Sequence, residues 1–99
     1  MSSKKEPTRI VGIAWYRPDQ WISLKEFCED RDRMDATYEI WEKGAQNAMR
    51  QLRSGGEHVV SVDFDLEEFK MWCSTNKKRP DASSRSEFTV FKTRELHKG

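Results

Sequence analysis

Read for hydrophobic spacing, the 99-residue chain divides into two short alternating stretches and four longer ones with helical period. The first alternating stretch runs from Arg9 to Tyr16 and predicts a strand. Val11, Ile13 and Trp15 share one face, and Ile10, Gly12, Ala14 and Tyr16 share the other. The second face is small at Gly12 and Ala14. Either a helix approaches closely there or the face is thinly covered. His58 to Phe64 predicts the second strand, with Val60, Val62 and Phe64 on one side and Val59, Ser61 and Asp63 on the other.

Helical patterns fill the intervals. Pro18 suits the first turn of a helix, where its missing N–H costs nothing. With Trp21, Leu24 and Cys28 on one face and Phe27 beside them, helix one is predicted over Pro18–Asp30. Asp35 can cap helix two, from Ala36 to Arg53, along the stripe Tyr38, Trp41, Ala45, Ala48 and Leu52. Ile40 and Met49 widen that stripe, and Ser54-Gly55-Gly56 ends it. Asp65 with Glu68 three residues on is a helix-start signature. It predicts helix three to Asn76, with Leu66, Phe69, Trp72 and Cys73 inward. Ser84 with Glu87 repeats the signature and opens helix four, to Leu96. Only Phe88 and Phe91 anchor helix four, so it has the thinnest apolar face and is expected to fray.

The order β-α-α-β-α-α predicts an α/β, or α+β-like, two-layer domain: a small two-stranded parallel sheet packed on helices. Two strands alone make a weak sheet. Either the helices carry most of the core, or a second copy completes the sheet. Both halves run strand, corner, then a helix with Trp and Cys, but the matches are too few for a duplication. Met1–Thr8 is polar and reads as a disordered tail, leaving residues 9–97 as one globular domain.

Charge changes this picture in one respect. The net charge is only +1, which points to no polyanionic partner. Residues 1–16 carry +2, residues 17–69 carry −6 and residues 70–99 carry +5. An acidic middle thus precedes a basic final third, and the simplest reading is that the two attract each other within the fold. Binding of nucleic acid by Lys77, Lys78, Arg79, Arg85, Lys92, Arg94 and Lys98 is the weaker reading. The two cysteines, Cys28 and Cys73, lie in apolar patterns and read as buried thiols of a reduced, cytoplasmic protein. No stretch reaches the ~18 apolar residues of a membrane span, and none has the form of a signal peptide.

Candidate chemistry is sparse. In parallel α/β structures ligands gather beyond the carboxyl ends of the strands. That places Tyr16, Arg17 and Gln20 at one corner and Asp63 and Asp65 at the other. The five form a candidate ligand-binding set for a small polar or cationic molecule. The bland reading of the same residues is stronger: Asp65 as a helix cap, Arg17 as its ion-pair partner, Trp21 and Trp72 as core. No metal is expected, because His58 and His97 are isolated and the two cysteines stand 45 positions apart. No cofactor is expected, since Ser54-Gly55-Gly56 ends a helix instead of opening one around a phosphate. Neither cysteine has a local basic partner to activate it.

The stretch Ile13-Ala-Trp-Tyr-Arg-Pro-Asp-Gln-Trp21, with Val62-Asp-Phe-Asp65, Glu68-Phe69 and Trp72-Cys73, resembles a family of short, uncharacterised, mostly bacterial proteins. Their openings read Ile-Ala-Trp-Tyr-Arg-Pro-x-Gln-Trp, and a Trp-Cys pair closes a later helix with an acidic start. The resemblance implies one complete domain and assigns no catalytic residue. Taken together, the residues favour a non-enzymatic interaction or accessory domain with a protein partner or a second copy of itself. The alternative is a ligand site or enzyme at the two corners, and it requires Arg17, Asp63 and Asp65 to converge.

Overall fold

The computed structural model describes residues 10–97. The tail expected over Met1–Thr8, and Arg9 at the start of the first strand, lie outside the described residues. Four helices surround a two-stranded sheet: β1 (Ile10–Tyr16), α1 (Trp21–Phe27), α2 (Tyr38–Ser54), β2 (His58–Phe64), α3 (Leu66–Asn76) and α4 (Ala82–His97). The strands are parallel, with Ile10 opposite His58 and Tyr16 opposite Phe64. Both strands therefore end at one edge of the domain, and the corners that follow them are neighbours. No helix among the described residues is long and apolar enough to cross a membrane.

Local chemistry sets most element ends. Asp65 caps α3 by accepting from the Glu68 amide at 3.1 Å, as its spacing predicts. Lys77 closes α3 in the left-handed conformation, φ 55°. Helix one is shorter than its pattern suggests. Pro18–Gln20 form a single 3-10 turn, and the α-helix stops at Phe27. Arg31 takes over its last carbonyls, donating from Nε to Lys25 O at 3.1 Å and from Nη2 to Glu26 O at 2.8 Å. Helix two begins at Tyr38, and its cap is Thr37, which accepts from the Ile40 amide at 3.2 Å; Asp35 lies upstream. Helix four begins at Ala82, with Asp81 accepting from the Ser84 amide at 2.9 Å. Ser84 therefore lies inside the helix and is buried there.

The core joins α1, α3 and α4 to one face of the sheet. Trp21, Leu24, Cys28, Phe64, Leu66, Phe69, Cys73 and Phe88 form one buried cluster. Phe69 stands 5.0 Å from Phe64 and 5.5 Å from Phe88, ring centre to ring centre, and is fully buried. A second aromatic group gathers where β1 ends. The Trp41 ring of α2 lies 5.2 Å from Trp15, 4.8 Å from Tyr16 and 6.0 Å from Trp21. Along α2, Met49 is buried and Tyr38, Trp41, Ala45 and Leu52 are half-buried, as the stripe read from the sequence predicts, while Ile40 and Ala48 are exposed.

Helix four corrects the sequence most. It packs across both strands, and Thr93 lies over Gly12. A methyl group built on Gly12 would meet Thr93 Oγ1 at 1.9 Å. The small face of β1 is thus used for close helix approach. The stripe that α4 buries is Ser84, Arg85, Phe88, Thr89 and Thr93. Only one of the five is apolar, which is why hydrophobic spacing underrates the helix. Thr89 and Thr93 satisfy their hydroxyls within it, donating to the carbonyls of Arg85 and Thr89, both at 2.7 Å.

Candidate functional site

Four of the five candidate residues meet at one corner. Arg17 grips Asp63 in a two-pronged ion pair, Nε to Oδ1 at 3.0 Å and Nη2 to Oδ2 at 2.6 Å. Its Nη2 also stands 3.3 Å from Asp65 Oδ2. Gln20 accepts from the Leu66 amide at 2.9 Å, supplying a partner for the first turn of α3. The convergence demanded by a ligand site is present, but every one of these groups is already engaged by another. The guanidinium ties the end of β1 to the end of β2, and the three charges lie at the surface. The hydrogen-bonded Arg17 holds the Asp63 carboxyl below the usual carboxylate range. In an Arg17→Gln variant the Asp63 carboxyl should titrate at higher pH than in the wild type, read by NMR titration of its side-chain carbon, with the fold intact. An unchanged titration would mean that the pair does not form in solution.

Tyr16 is turned away from this corner. Its phenol oxygen accepts from Arg85 Nε at 3.0 Å, and its carbonyl accepts from the Tyr38 hydroxyl at 3.0 Å. Arg85 is the residue that the sequence misplaces. Counted there with a basic surface cluster, it is buried, its side chain only 10% exposed. It donates to both oxygens of Asp30 at 2.9 Å and to Cys28 Sγ at 3.2 Å. Three groups from two distant segments meet on one guanidinium. A basic residue does reach Cys28, contrary to the local reading, because α4 supplies it across 57 positions.

The balance of effects at this node shows its chemistry. Burial pushes the Cys28 thiol and the Tyr16 phenol up, and the nearby Arg85 charge only partly offsets it. Both stay protonated at neutral pH, so neither is set up as a nucleophile or base. Asp30 is held below the usual carboxylate range, chiefly by its hydrogen bonds to Arg85. Nothing in the sequence signals the node, apart from an arginine at a position where an amphipathic helix would turn inward.

Beside the node, between the end of β1, α1, the start of α2 and the start of α4, lies a cavity of about 540 Å3. Its walls include Tyr16, Trp21, Trp41 and Arg85. Among the described residues no three His, Cys, Asp or Glu side chains gather as a metal-ligand set.

A second surface feature lies on the far side of α3 and α4. Met71 is 71% exposed, Val90 49% and Phe91 44%, and the half-buried Trp72 lies among them. Two grooves, of about 430 and 480 Å3, share Trp72 and Phe91 as walls. Ion pairs of both signs flank them: Lys92 with Glu68 at 3.0 Å and Lys78 with Glu87 at 3.1 Å.

The basic final third is largely committed to carboxylates. Arg79 pairs with Glu29, Arg85 with Asp30 and Lys92 with Glu68. All three acids belong to the acidic middle of the chain, so the charge asymmetry is spent inside the fold.

Compared with protein-family models, with curated proteins and with solved structures, the chain matches none.

Proposed function

We propose that the chain is a small, non-enzymatic cytoplasmic interaction domain that pairs with a second copy of itself through the outer face of α3 and α4. One observation carries the reading: the contiguous exposed apolar surface of Met71, Trp72, Val90 and Phe91. Apolar patches with a polar rim on a small domain mark contact surfaces. A copy of the chain suits this one on charge. Glu68, Glu87, Lys78 and Lys92 put both signs around the apolar centre. A two-fold arrangement, in which each surface meets its own kind, can then set the acids of one copy against the bases of the other. Trp72 and Phe91 are of the residue types that anchor such contacts.

Sedimentation velocity tests this. The expected result is concentration-dependent dimerisation at up to about 1 mM protein, where even an association of about 4 kcal/mol is half formed. Phe91→Asp should leave the circular dichroism unchanged, since the ring is half outside already, and shift the protein to monomer. A wild-type chain that stays monomeric across that range would rule the pairing out. Equal association by the variant would move the interface elsewhere.

A further inference from the structure

We propose that the cavity beside Tyr16 binds a small organic cation of the alkylated-ammonium class. The cavity opens where β1 ends, the usual place for a ligand in parallel α/β structures. Its volume of about 540 Å3 falls in the range of small-molecule sites.

Three aromatic rings contribute to its walls. Tyr16 comes from β1, Trp21 from α1 and Trp41 from α2, and the three centroids are 4.8 to 6.0 Å from one another. Aromatic faces carry negative potential and attract cations, Trp most strongly. An ammonium already uses one of them, because Lys25 Nζ lies 5.9 Å from the centre of the Trp21 ring.

The charges point the same way. Three carboxylates, Asp30, Asp35 and Asp81, line the cavity with two guanidinium groups, Arg33 and Arg85. Asp30 and Arg85 cancel each other, and Arg85 spends four of its five donors on neighbouring groups. Of the rest, Asp35 makes no ion pair among the described residues, and Asp81 spends only one oxygen on the Ser84 amide. Among the lining residues Arg33 alone opposes them, from an exposed position, so the uncommitted charge of the lining is negative; Lys25 stands just outside it, its Nζ donating to the Asp35 carbonyl at 3.0 Å.

Choline is the probe, followed by tryptophan fluorescence and by calorimetry at constant ionic strength. Its neutral isostere 3,3-dimethyl-1-butanol is the control for size and shape. The expected result is saturable binding of choline, with the isostere weaker by about tenfold, as loss of a desolvated cation–π contact implies. Asp35→Asn, at an exposed position, should weaken choline about threefold or more while the fold persists. Trp41→Leu should weaken it further. Should that variant unfold, the Asp35→Asn result and the isostere comparison still decide. Absence of saturation by choline, equal binding of the isostere, or unchanged affinity in Asp35→Asn would each overturn the proposal.

Discussion

Replacing Arg85 by methionine is expected to lower the unfolding free energy by about 3–5 kcal/mol, the usual result of leaving one member of a buried ion pair alone. The side chains of Arg85 and Asp30 are 10% and 17% exposed, so water screens the pair little. Methionine keeps much of the volume but removes four donated hydrogen bonds, to Tyr16, Cys28 and both oxygens of Asp30. Asp30 is then a carboxylate without its partner. Lysine should rescue poorly, because an ammonium cannot reproduce the planar fork. The double variant Arg85→Met with Asp30→Leu should recover much of the loss, since an apolar pair in place of a buried ionic one is often neutral. Urea unfolding of the four proteins measures this. A single-variant loss below about 1 kcal/mol would mean the pair behaves as a surface contact.

The same node sets the sign of a pH effect. Asp30 has its folded pKa depressed by Arg85. Its contribution is therefore fully present above the unfolded value of about 3.9. It is lost as pH falls through the lower, folded value. The wild type should thus lose stability on the acid side of that window. In Arg85→Met the unpaired carboxyl is pushed up instead, so the penalty of the variant shrinks on acidification. The two stability curves should converge at low pH, and parallel curves would count against the pairing.

The second large effect is expected at Gly12. Gly12→Ala should cost about 1–3 kcal/mol, and Gly12→Val more, because both overfill a closed contact. The new Cβ would lie 1.9 Å from Thr93 Oγ1, 3.1 Å from Thr93 Cβ and 3.0 Å from Val62 Cγ2. Turning Thr93 about its first side-chain bond removes the first overlap. It also gives up the bond to the Thr89 carbonyl and leaves the other two contacts unchanged. Helix four must then lift from the sheet. Thr93→Ala in the same chain should relieve part of the cost, so the double variant should lose less than the sum of the singles. Additive losses would show that α4 and β1 do not touch there. Gly44, by contrast, has nothing within 4 Å of its missing side chain, and alanine there should be tolerated.

How much of the candidate site could be read in advance follows from the range of the forces involved. Arg17 meets Asp63 and Asp65 as the alternative ligand-site reading required, and that was legible for a simple reason. Arg17 and Asp65 directly follow the two strands and Asp63 is next to last in the second, and parallel pairing brings such ends together. Tyr16, next to Arg17 in sequence, belongs to the opposite side, because successive residues of a strand point to opposite faces. Arg85 could not be placed. Its partners lie 55 to 69 positions away. Charge alone suggested solvent for it, and only the packing of α4 over the sheet turned it inward.

The sequence by itself determined the order of elements, the bounds of β2 and α3, the Asp65 cap and the small face of β1. Each of these rests on interactions between residues close in the chain: strand alternation, a side chain capping an amide three residues on, a glycine with no Cβ. Tertiary structure decided where α1 stops and that a helix with a mostly polar buried stripe lies against the sheet. Those outcomes depend on hydroxyls and a guanidinium finding partners across the fold, and hydrophobic spacing registers how apolar a residue is, never whether a distant partner will satisfy it.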